Sequence, residues 1–187
     1  MKKIILVLFL SCNLSIFSQK TVTIENVEFF KSIKVGGENL IVNGGGLREK
    51  YWIDLYVAAL YLKNKSSEAS KIIQKDEEMA IYIKLVSDKV TREKFLETVK
   101  EGFANSTAGK ATKEEIKKFT GFFTDEFKNG DKIYLEYIPN KGVQVKKNGK
   151  NIGEIESLEF KKALFSIWLG SKTPNVDLKN GMLGKDN

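Results

Sequence analysis

Two spacings of apolar residues take turns along this chain. Over the first third they fall in short blocks of Val, Ile, Leu and Phe broken by Gly and Asn, so residues 22–24, 27–35, 40–43, 47–52 and 55–62 are predicted to be strands, with 79–86 a further one. Gly36-Gly37 and Gly44-Gly45-Gly46 punctuate this part.

The spacing then lengthens. Residues 68–74 form a short predicted helix, and 91–103 form a longer one that aligns Phe95, Val99 and Phe103 on one face. Thr112 and Glu115 make a capping box ahead of Ile116, Phe119, Phe123 and Phe127. Strands return at 132–138, 142–146 and 151–156, joined by Pro139-Asn140-Lys141-Gly142 and by Asn148-Gly149, the second a strong tight-hairpin signal. Ser157 is placed to cap a last helix through Phe160, Leu164, Phe165 and Trp168 that stops at Gly170, and a loose polar tail is expected beyond it. Strands, helices, strands and a final helix predict an α+β fold with a largely antiparallel sheet and helices stacked on one face. No repeat or linker divides the chain, so a single domain over 19–187 is expected.

Residues 1–18 stand outside this pattern. Lys2 and Lys3 precede an unbroken apolar run from residue 4 to 10, which relaxes to Phe17-Ser18, and this reads as a signal peptide of an exported, periplasmic or secreted protein. The run is too short to span a bilayer comfortably. Cleavage after Ser18 removes Cys12, the one cysteine, and lowers the formal charge from +7 to +5. A thiol-free exported chain suits an oxidising compartment. The rival reading makes Cys12 a lipid anchor, against which stand the bulky Phe9 three residues before it and the apolar residues after it.

Composition removes whole classes of chemistry. The 187 residues include no histidine, so Ser-His-Asp, Cys-His and zinc-His sites have no base or ligand, and a catalytic site here has only Arg, Lys, Tyr, Ser, Thr and carboxylates to draw on. Lys and Arg outnumber Asp and Glu by 31 to 24, but the lysines are interspersed with acids and no Arg-aromatic cluster appears, so nucleic acid is not an expected partner. Weak attraction to an anionic membrane surface is what the excess of cations leaves. Gly109-Lys110 lacks the first glycine and the Ser or Thr of a phosphate loop, and Asp76-Glu77-Glu78 lacks the alternating ligands of a calcium loop. No metal or cofactor is implied.

One constellation asks for a function. Residues 43–62 fold on paper into a hairpin centred on Trp52, with residue 50 opposite 54, Arg48 opposite Tyr56, Gly46 opposite Ala58 and Gly44 opposite Leu60. Opposed side chains share a side of the sheet, so Arg48 and Tyr56 lie beside a strip of missing or small side chains that leaves room for an apolar body. The opposite side, with Leu47, Val57, Gly45 and Ala59, reads as packed core. Arg48 is one of two arginines among 29 lysines. A guanidinium keeps its charge when partly buried and presents a fork that fits a carboxylate. Arg48 and the Tyr56 hydroxyl are therefore candidate ligand-binding groups for an anionic head. The competing reading pairs Arg48 with Glu49, Asp54 or another carboxylate.

Gly44-x-Gly46-Leu-Arg48, then Tyr56-Val-Ala-Ala-Leu-Tyr61-Leu62, the phenylalanines from 119 to 127, Gly130-Asp131, Gly142-Val143 and Ala163-Leu-Phe-Ser-Ile-Trp-Leu-Gly170 resemble the chalcone isomerase-like family over roughly residues 27–170. The resemblance implies an open-faced β-sandwich, a large antiparallel sheet under a layer of helices with the ligand cleft between. It also implies two kinds of member, isomerases that close a chalcone into a flavanone and non-catalytic binders of fatty acids. In both, an arginine matching Arg48 is central. Isomerases carry threonine where this chain has Tyr56, and fatty-acid binders carry tyrosine. The isomerase's active-site tyrosine, asparagine and last-helix threonine fall near Thr91, Thr98 and Ile167, and none is retained.

These readings together predict binding of a small amphipathic carboxylate such as a fatty acid. The alternatives are an intramolecular lyase or isomerase acting on an enone, and a structural or partner-binding envelope protein with a closed cleft.

Overall fold

A two-stranded hairpin, β1 (Thr21–Ile24) and β2 (Val27–Phe30), opens the computed structural model, which describes residues 20–185. The segment expected to be a signal peptide, residues 1–18 with Cys12, lies outside the described residues. Seven further strands form one antiparallel sheet in chain order: β3 (Ser32–Val35), β4 (Glu38–Lys50), β5 (Ile53–Leu62), β6 (Met79–Leu85), β7 (Lys132–Ile138), β8 (Gly142–Lys147) and β9 (Lys150–Ile155). Four of the connections are two-residue turns, Glu25-Asn26, Gly36-Gly37, Tyr51-Trp52 and Asn148-Gly149, with both residues at positive φ. That geometry follows the right-handed twist of the strands it joins.

The helices α1 (Ala69–Gln74), α2 (Arg92–Ala104), α3 (Lys113–Gly121), α4 (Leu158–Leu169) and α5 (Val176–Met182) contribute to a core built on one face of the sheet. Leu60, Ile81, Ile83 and Leu135 rise from the sheet to meet Phe103, Phe119, Phe160 and Leu164. Phe119 packs its ring at a steep angle to those of Phe103 and Phe123. On the opposite face the β1–β2 hairpin lays Val27 and Phe29 over Leu40, Val57, Ala59 and Tyr61, and the Tyr61 hydroxyl donates to the carbonyl of Phe30 at 2.9 Å. Central strand β5 is covered on both faces from Val57 to Leu62, which explains its unbroken apolar run.

The expected α+β architecture holds, with local differences. The predicted strand over 27–35 breaks at Lys31, and β4 runs on through the glycines to Lys50. The capping box forms: Thr112 Oγ1 accepts from Glu115 N at 3.1 Å, and Thr112 N donates to Glu115 Oε2 at 2.7 Å. Helix α3 nevertheless ends at Gly121, and Phe123 and Phe127 reach the core from the following segment. The largest correction concerns the tail. Instead of a loose polar segment after Gly170, α5 buries Leu178, Met182 and the adjoining Leu183.

Candidate functional site

The register of β4 against β5 is the one expected through the middle of the hairpin, with Gly44 opposite Leu60, Gly46 opposite Ala58, Leu47 opposite Val57 and Arg48 opposite Tyr56. It departs at the tip. An irregularity between Arg48 and Glu49 shifts the pairing to Glu49 with Asp54 and Lys50 with Ile53, so the turn is Tyr51-Trp52 rather than one centred on Trp52. Bulges of this kind re-aim side chains beside a site.

The structure brings Arg48 and Tyr56 together at one cleft between the end of the sheet and helices α2 and α4. Arg48 Nη1 donates to the carbonyl of Pro174 at 3.1 Å. Among the described residues no ion pair is formed by Arg48, Glu49 or Asp54, so the competing internal salt bridge is not made. The contrast with Arg92 is instructive, since its Nε is bound to the carbonyl of Phe123 and it serves packing.

Tyr56 has a partner that sequence reasoning missed. Trp168, on α4, donates its indole N–H to the Tyr56 hydroxyl oxygen at 3.1 Å. Because an indole is a donor only, the Tyr56 oxygen accepts this bond and its own O–H is left to donate elsewhere. Burial pushes the Tyr56 hydroxyl pKa above its ordinary value, opposed by the Trp168 hydrogen bond and the charge of Arg48. Only the apolar spacing of α4 was available to place Trp168, and that marks it as core.

Two adjoining hollows of about 400 and 370 Å³ meet at Arg48, Tyr56, Thr98, Ile167 and Trp168. One extends under Pro174 and Asn175 and is walled by both polar and apolar groups. The other runs along Leu55, Val90, Phe95, Val99 and Ile167, an apolar channel. Each volume is within the range of small-molecule sites. The expected strip of space over Gly44 and Gly46 is not part of either. Helix α5 fills it: a Cβ on Gly44 would come within 2.1 Å of the carbonyl oxygen of Gly181, and Gly46 faces the backbone of Leu178. The small residues admit a helix, and the hollows that reach Tyr56 lie on the side of Arg48 toward α2.

Of the three positions matched to isomerase hydrogen bonders, Thr98 and Ile167 line the cleft, while the Thr91 hydroxyl caps α2 by accepting from Lys94 N at 3.4 Å. Among the described residues no cluster of side chains is arranged to hold a metal ion.

A family model described as chalcone isomerase-like matches residues 21–184. The chain belongs to the chalcone isomerase-like family. A search of curated proteins finds no match. Among solved structures, the crystal structure of an Arabidopsis thaliana fatty-acid binding protein is similar, with a TM-score of 0.70, 21% identity, and coverage of 88% of this chain and 96% of that one. At that identity the likeness establishes the fold, and with it the chalcone isomerase-like arrangement of curled antiparallel sheet and helices.

Proposed function

We propose that this member of the family is an exported, non-catalytic binder of small amphipathic carboxylates such as fatty acids. The observation that carries the reading is the convergence, where the two hollows meet, of a guanidinium with no carboxylate partner among the described residues and a tyrosine hydroxyl that accepts from Trp168 and keeps its own proton to donate. A carboxylate head fits between Arg48 and Tyr56, and the tail lies along Leu55, Phe95, Val99 and Ile167. Each buried methylene adds about 0.8 kcal/mol before ordering costs, so an aliphatic tail supplies affinity and the head supplies orientation. That the similar Arabidopsis protein is a fatty-acid binding protein supports the reading.

Native mass spectrometry and lipid extraction of the purified protein, followed by titration with a long-chain fatty acid, test it. Arg48→Ala should weaken binding by about 10- to 100-fold, and Tyr56→Phe by less, with circular dichroism unchanged. Undiminished affinity in Arg48→Ala, or a wild type that takes up no carboxylate, would overturn the assignment. Turnover of a chalcone-like enone that disappears in Arg48→Ala would replace it with the isomerase reading, against which stand Ile167 and Tyr56 at positions where the resemblance expects threonine. An open cleft also argues against a purely structural envelope protein.

A further inference from the structure

The chain makes its two-residue turns from Glu25-Asn26, Gly36-Gly37 and Asn148-Gly149, and at the β4–β5 tip from Tyr51-Trp52. Positive φ at both central positions favours Asn and Gly, and a bulky aromatic there is disfavoured. Tyr51 at φ 53° and Trp52 at φ 60° both adopt it, and they gain little packing in return, since they are 77% and 91% exposed. Ile53 beside them is 40% exposed. Local strain combined with exposure of large apolar surface points to a role outside the fold.

The position of the tip says what that role is. Tyr51 and Ile53 form part of the lining of the cleft, so whatever covers the tip also covers the mouth. Lys50, whose Nζ lies 5.5 Å from the centre of the Tyr51 ring, shares the rim with Lys89, Lys94 and Lys172, and with Arg48 these cations outnumber Glu49, Asp54, Glu97 and Glu101 by one. Trp, Tyr and an aliphatic residue beside a small excess of cations match the interfacial layer of a bilayer, where aromatic rings sit among headgroups and cations meet phosphate. Three side chains at a hairpin tip present far less area than the roughly 1,000 Å² a stable protein interface needs, which disfavours a second copy as occupant.

We propose that the Tyr51-Trp52-Ile53 tip is a membrane-docking element that inserts into the interface of a bilayer carrying anionic headgroups and seats the mouth of the cleft on the lipid. This goes beyond the carboxylate-binding reading and does not depend on it, because docking requires only the tip and its cations.

The test uses the chain from Gln19 onward, which contains both hydrophobic clusters and every element described. It is floated with vesicles of phosphatidylcholine alone and of phosphatidylcholine with phosphatidylglycerol in equal parts, with no fatty acid added. The wild type should float with the anionic vesicles and less with the neutral ones. Brominated lipid should quench Trp52 and spare Trp168, which is 6% exposed. The double variant Y51N/W52G restores the turn chemistry of Asn148-Gly149, so it should fold at least as stably while partitioning about tenfold less or worse. A wild type that stays with the soluble fraction, or a variant that floats equally well, would overturn the proposal. So would a wild-type dimer that the variant dissolves, since the tip would then serve a second copy.

Discussion

The hydroxyl of Tyr56 and the carboxylate proposed to meet it beside Arg48 respond to pH in different ranges. A guanidinium holds its proton throughout the range in which proteins work. Tyr56, its pKa raised by burial, stays a donor well past neutrality. On the proposed carboxylate-binding reading, the ligand is then the group that titrates on the acid side, at about 4 to 5 when free, and the charged site would bind its ionised form. Affinity should be flat from pH 8 down to about 5 and then fall, approaching tenfold per pH unit. Isothermal titration across that range checks it, and affinity that rises toward acid would mean the neutral acid is the form bound. The pairing of Arg48 with Tyr56 was legible because a rare arginine and a hairpin register can both be read locally. Trp168 and the Pro174 carbonyl were not, because each reaches the site from an element more than a hundred residues away by a tertiary contact that no spacing encodes.

Helix α5 and strand β4 form a single unit that local propensity hides. The helix is seven residues long and contains Gly181, too short and too poor in helix formers to stand alone. Its existence rests on Gly44 and Gly46, which let its backbone lie against the strand, and on Asn43, whose side-chain amide donates to the carbonyls of Ser66 and Met182 at 2.9 and 2.8 Å. The strip left by these glycines reads as room for an apolar body, and a close backbone approach takes that room instead. What approaches was misassigned, since the polar stretch after Gly170 carries few apolar residues and gives no strong period. Gly44→Ala should destabilise the protein by about 1 to 3 kcal/mol and loosen α5 first. Faster amide exchange at Leu178 and Met182 than in the β5–β6 core, together with a lower urea midpoint, is the expected result. An unchanged midpoint would mean that α5 is not held by this contact.

Across the whole molecule, the buried cation opposes the tyrosines in setting stability against pH. Lys161 is fully covered, donating its ammonium to the carbonyls of Ile72, Ile73 and Lys75 at 3.3, 2.9 and 2.6 Å and lying 5.2 Å from the Tyr137 ring centre. Burial pulls its pKa down to about 8 from an ordinary 10.5, against the charge of Asp76. Between those two values the folded chain holds fewer protons than the unfolded one, so this group makes stability rise with pH, by at most about 1.4 kcal/mol per unit. Tyr56, Tyr61, Tyr82, Tyr134 and Tyr137 all have raised pKa values, chiefly from burial, so above their ordinary 10.0 the folded chain keeps protons the unfolded one loses, and stability falls. Urea denaturation should therefore show a maximum near pH 10, and Lys161→Met should abolish its rising limb. A flat profile between pH 8 and 10 would reject the assignment. The overall α+β order and sheet-plus-helix layering were readable from periodicity because strands and helices are grouped along the chain, whereas Lys161 sits among apolar neighbours as one more surface-type residue. The clasp on Arg48 has a consequence for how the protein comes into being. The guanidinium and the carbonyl that steadies it are 126 residues apart. A chain emerging from the ribosome displays the cation long before its counterpart arrives, and a protease that clips the segment before Val176 would leave the cation without its rest. This contact of the proposed site is thereby reserved for molecules whose synthesis has passed residue 174.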